Sequence, residues 1–146
     1  MFEPQILIAD VMFLAVIFLI VFCRRKMIQV RGLAHSIVEP SLLETCKSIL
    51  KQFRAATILF GFHAYGLLGF AFGWNDALWA ATPGEFTGWI ILLLQLPGVL
   101  FGFYGFFFLF LIGVFRTNTA SRRLRQLTGA QVARGDSPAT RSSASD

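Results

Sequence analysis

Few side chains able to do acid–base or ligand chemistry fall inside the long apolar stretches of this sequence: Asp10, His63 and Gln95, with Tyr65, Tyr104 and Thr57. An ionisable group at membrane depth costs roughly 2.5–3.5 kcal/mol to insert, so each is read first as a functional or paired group. Counted inward at about 1.5 Å per residue from the outer helix ends, Asp10 and Gln95 lie at similar depth. A protonated Asp10 hydrogen-bonded to Gln95 would pin the first helix to the third; an ion site is the alternative use of the same pair. His63 sits near the middle of the second stretch. A haem b usually takes two axial ligands, and the other histidine, His35, lies outside the apolar stretches. His63 is therefore read as hydrogen-bonded within a bundle, and no cofactor is expected. Two cysteines, Cys23 and Cys46, with these histidines do not make a zinc spacing, so no metal is expected. Cys23 beside Arg24 is a candidate for acylation or else an inert juxtamembrane thiol. No Ser–His–Asp set, phosphate-binding glycine loop or intramembrane pair of acids is present, and an enzyme is not expected.

The elements that must position these residues follow from composition. Of 146 residues, 55% are hydrophobic and 14% charged, with mean hydropathy +0.65. Soluble domains run at about 45–50% apolar and about 25% charged. Segments 5–23, 55–74 and 88–115 are nearly free of charge, and a span needs roughly 20 such residues. The runs are unbroken rather than alternating, which favours helices over barrel strands. The first begins at the acidic Met1-Phe2-Glu3-Pro4-Gln5 and ends in Cys23-Arg24-Arg25-Lys26, a stop-transfer pattern rather than a cleaved signal. All 13 Lys and Arg residues fall in 24–54 and 116–146, whereas 1–4 and 75–87 carry Glu3, Asp76 and Glu85 and no base. The positive-inside rule then places the N-terminus outside and the C-terminus in the cytoplasm, in a plasma membrane or bacterial inner membrane. Both cysteines fall on the cytoplasmic side, where no structural disulfide is expected. Trp74, Trp79 and Trp89 cluster at the outer loop as interfacial anchors. The basic balance reads as topology plus attraction to anionic lipid, not as nucleic-acid binding.

Within this frame the first helix reads as a lipid-facing anchor. Segment 24–40 is polar and closed by Pro40. Ser41-Leu42-Leu43-Glu44 fits a capping box, and Leu42, Leu43, Cys46, Ile49, Leu50 and Phe53 recur at helical spacing. That predicts an amphipathic helix over 41–54, continuous with the second span, its stripe lying on the membrane or docking a partner. Gly66, Gly69 and Gly73 share one face of the second span, a GxxxG pattern whose meaning is close helix approach. On the third, Gly88, Gln95, Gly98, Gly102, Gly105 and Gly113 fall within about 100° of arc, opposite the lipid-facing Phe101, Phe103, Phe106, Phe107, Phe108 and Phe110. Pro97 should kink this helix. The tail predicts a short basic helix around Ser121–Leu127 and disorder from Gly129.

Gly66-Leu67-Leu68-Gly69-Phe70-Ala71-Phe72-Gly73 and Leu96-Pro97-Gly98, with an outside N-terminus and a cytoplasmic insertion, resemble the proton-driven energising channels of the MotA, TolQ and ExbB type over residues 54–116. That family has a pore threonine where Phe70 stands here, and a longer insertion. The topology and basic tail are also similar to three-helix phage holins. Both resemblances imply a homo-oligomeric pore or ion channel. Through His63 the chain resembles three-helix quinone-oxidoreductase anchors, which implies a haem or quinone anchor, although their arginine and quinone-site residues are not visible. A pore calls for a continuous polar stripe, and the glycine seam carries only Gln95. The expectation is an all-α integral membrane protein with three transmembrane helices and a cytoplasmic amphipathic helix before the second. Its function is that of a small non-enzymatic subunit of a larger secretion, transport or energising complex. It would pack through Gly66, Gly69, Gly73, Gly98, Gly102 and Gly105 against other membrane subunits or copies of itself, within the lipid bilayer.

Overall fold

The computed structural model describes residues 4–71, 88–90, 93, 96 and 105–135. It is all-helical, built on three long elements: α1 (Pro4–Ser36), α2 (Pro40–Ala71) and α3 (Phe106–Gly135). At about 1.5 Å per residue each is roughly 45–50 Å long, well beyond a hydrocarbon core of about 30 Å. α2 is central and packs along both α1 and α3, which barely touch each other.

A seven-residue repeat produces this packing. On α2 the buried positions are Cys46, Ile49, Phe53, Ala56, Phe60, His63 and Leu67, alternating by three and four. On α3 the same spacing runs through Gly113, Thr117, Ala120, Leu124 and Leu127, and on α1 Val16, Cys23 and Val30 fall one heptad apart. Such a period keeps one seam facing its neighbours along the whole length of a helix, the geometry of left-handed coiled coils.

The seam accounts for three departures from the sequence reading. α1 does not stop at Cys23: Arg24–Arg31 are good helix formers, and Val30 carries the buried stripe on to Ser36, whose hydroxyl donates to the Leu33 carbonyl at 2.8 Å. The stripe predicted over 41–54 to lie on the membrane or dock a partner is covered by the chain's own α1 and α3, with Cys46, Ile49 and Phe53 at most 1% exposed. The tail is helical through Gly135 rather than disordered from Gly129, since Ala120, Leu124 and Leu127 are buried along the same seam.

A three-residue linker joins α1 to α2. The Leu43 amide donates to the Glu39 carbonyl at 3.1 Å, so Glu39 caps the helix and Pro40 takes the first helical position, where its missing N–H costs nothing. The cap expected at Ser41 lies two residues earlier, at Glu39, and the Ser41 hydroxyl donates back to the Glu39 carboxylate at 2.9 Å. Arg134, in the last turn of α3, forms an ion pair with that same carboxylate. These two hydrogen bonds, Arg134 first, hold the Glu39 carboxyl below its usual range.

Among the described residues one helix, Leu7–Ser36, is long and apolar enough to cross a membrane, and only 11% of its most apolar window is buried in the bundle. A core helix would be mostly buried. Leu7, Val11, Leu14, Phe18 and Val21 instead form an exposed outer stripe, an apolar face compatible with membrane insertion.

A close helix contact lies at Gly113. A Cβ there would lie 2.7 Å from Cε1 and Cζ of Phe60. That ring cannot swing aside, because it is fully buried and meets Phe110 edge-on at 6.2 Å. Gly113→Ala is expected to destabilise the folded protein by about 1–3 kcal/mol through overpacking, measured by unfolding in detergent. Adding Phe60→Leu should recover much of that loss; a neutral Gly113→Ala would contradict the packing.

Candidate functional site

Three polar side chains meet where the helices converge. The Cys23 thiol of α1 lies 3.6 Å from the Thr117 hydroxyl of α3, and Thr57 of α2 approaches the same thiol. Thr117 donates to the Gly113 carbonyl at 2.7 Å and Thr57 to the Phe53 carbonyl at 2.8 Å. Both hydroxyl protons are thus committed within their own helices, which leaves the thiol as the donor toward Thr117. Hydroxyls satisfied in this way, Thr117 buried and Thr57 partly so, sit in an apolar seam without an open hydrogen bond.

This junction divides the molecule electrically. On one side lie residues 7–22, 58–69 and 105–115, where Asp10 is the only charged side chain described. On the other side lies every described Lys and Arg, beginning with Arg24 on α1, Arg54 on α2 and, at the boundary itself, Arg116 on α3. The helices alternate in direction, so three separate charge boundaries in the sequence meet at one level in space. Lys26 lies back over the Phe22 ring at 5.7 Å, its apolar stem along the helix and its charge at that level.

His63 lies two turns of α2 from the junction, on the uncharged side. It is fully buried, with its ring 5.9 Å from that of Phe110 and tilted by 40°. The phenylalanines of α3 were expected to face lipid as a set. Phe108 is outward, but Phe110 turns into the bundle against Phe60 and His63, because it lies one turn before Gly113 on the seam. Asp10 is exposed on α1, while Gln95, its expected partner, lies outside the described residues. Of the predicted packing glycines, Gly66 and Gly69 are buried on α2 and Gly105 is half-buried before α3; Gly73, Gly98 and Gly102 lie outside the described residues. Thr117 is the site residue that the sequence reading left out. Gly113 fell on the predicted glycine arc, and Thr117 lies four residues further along the same face.

Among the described residues no group of three His, Cys, Asp or Glu side chains could hold a metal. No family model, curated protein or solved structure matches this chain.

Both cysteines are free and buried. Cys23 points into the helix junction, away from the acyl-accepting surface that a juxtamembrane thiol would need. Burial pushes the Cys46 thiol above its usual range, so its reactive thiolate is scarce near neutral pH. Both should react with a maleimide on the order of a hundredfold more slowly in the folded protein than after denaturation, since labelling requires local opening. Rapid labelling of Cys23 in the folded protein would contradict the junction and reopen acylation.

Proposed function

We propose that this chain is a small, non-enzymatic, three-span membrane subunit, with its N-terminus outside and a cytoplasmic three-helix extension, that joins a larger membrane complex. The observation that carries this reading is the common level of the three charge boundaries at Cys23, Thr57 and Thr117. A membrane face supplies a physical reason for apolar surface to give way to Lys and Arg at one height on all three helices.

The distribution of surface supports the complex. α2 buries one seam against both neighbours and turns Ile58 and Phe62 outward, while α1 turns Leu7, Val11, Leu14 and Phe18 outward and α3 turns Phe108, Leu111 and Phe115 outward. Lipid can cover these faces, and so can other membrane helices. The basic extension carries a second kind of surface: Ile28, Val38 and Val132 are each at least 60% exposed among charged neighbours, where no lipid tails would cover them. Exposed apolar residues scattered singly in this way are ordinary for a water-facing surface, so the case for partners rests on the outward faces of α1 and α3. The interior seam is filled by Phe53, Ala56, Phe60 and Leu67. A pore would accordingly need several copies, with its lumen between chains rather than within one.

Purification from the native membrane in mild detergent, with size measurement and identification of co-purifying chains, tests the proposal. The expected result is a particle larger than the micelle-bound monomer, containing the same partner chains in fixed ratio. Copies of this chain alone would favour the homo-oligomeric pore, and a lone monomer would contradict the subunit reading.

A further inference from the structure

α2 and α3 leave an open groove of about 420 Å³ on the charged side of the junction. Ser48, Lys51 and Gln52 line it from α2, and Phe115, Arg116 and Thr119 from α3. On α2 these positions share one face by the three-to-four-residue spacing of a helix. The chemistry is graded along the groove. Phe115, 72% exposed, stands at the end where the uncharged half begins. Arg116 follows at the boundary, and Lys51, Ser48 and Gln52 lie toward the charged end. Two cations in a groove also lined by hydroxyl and amide donors match a phosphodiester, and none of the lining residues is acidic. The adjoining Phe115 offers an apolar contact that a free anion cannot use and an acyl chain can.

We propose that this groove binds the headgroup of an anionic phospholipid, its phosphate between Lys51 and Arg116 and its acyl chain descending past Phe115. The site rests on the membrane placement proposed above and adds to it a specific lipid position. General attraction of a basic surface to an anionic leaflet is diffuse and depends on net charge. A groove depends on which bases are removed.

The test uses the full chain in nanodiscs of phosphatidylcholine with increasing phosphatidylglycerol, with retained lipid counted by native mass spectrometry. Lys51→Ala with Arg116→Ala should weaken phosphatidylglycerol retention by about tenfold or more, the effect of two cations near an anionic headgroup. Arg31→Ala with Arg125→Ala removes the same charge outside the groove and should change retention less than about twofold. Lys51→Arg with Arg116→Lys should retain the lipid, which separates lost binding from lost folding. Equal losses in the two alanine pairs overturn the site, as does displacement of the lipid by millimolar inorganic phosphate, which would make the ligand a free anion. A lipid-independent acidic protein cross-linked at Thr119 overturns it in favour of a protein partner. Depth of spin labels at 62 and 112 separates the two levels: labels open to water defeat the three-span reading itself, whereas labels shielded in lipid with no lipid preference at the groove defeat only the groove.

Discussion

Phe60 lying against the bare backbone of Gly113, with Phe110 and His63 closing round it, is the contact that fixes how α2 meets α3. It is one step in a repeat that runs without interruption from Cys46 to Leu67. The rest of the structure depends on that continuity. Because the period is the same on both sides of the Cys23–Thr57–Thr117 junction, each helix passes from the uncharged half to the basic half as one unbroken helix and without a change of face. The two halves are one bundle, and neither is a separate domain.

The same seam is held by different forces at its two ends. On the basic side, burial of Ile49, Phe53, Leu124 and Leu127 in water contributes about 1.5–3 kcal/mol for each large side chain. On the side proposed to lie in lipid that drive vanishes, since hydrocarbon solvates Leu and Phe as well as a protein core does. Close packing must supply the association instead, and the close approach of Phe60 to Gly113 falls on that side. The ion pair of Glu39 with Arg134 closes the far end and ties the α1–α2 linker to the last turn of α3. That pair is exposed, so it sets geometry more than stability.

Much of this was legible in the sequence because apolar runs and charge asymmetry are local signals. The continuity of α2 through 41–54 could be read from Leu42 to Phe53 and from the lack of any Pro or Gly before the second span. What could not be read was where the amphipathic stripe would be buried. Ile49 and Phe53 look the same in sequence whether their cover is a membrane, a partner or the chain's own α3. The helical tail was hidden for a related reason: residues 129–135 have the composition of a linker, and their helix is an extension of docking at Leu124 and Leu127. The seam itself was legible in part. The glycine arc included Gly113, but the Phe set opposite it was assigned to lipid by size, and Phe110 faces inward because the heptad places it there.

The central claim is that the three charge boundaries mark one membrane plane, and depth measured by spin labels tests it most directly. Positions 18, 62 and 112 each lie five residues to the uncharged side of Cys23, Thr57 and Thr117, about 7.5 Å along the axis. Positions 28, 52 and 122 lie five residues to the basic side. With the protein in bilayers, labels at 18, 62 and 112 are predicted to share one depth, accessible to oxygen and shielded from a water-soluble nickel chelate, while labels at 28, 52 and 122 report water. Chelate access at 62 or 112 equal to that at 52 or 122 would contradict the account, since only α1 would then cross the membrane.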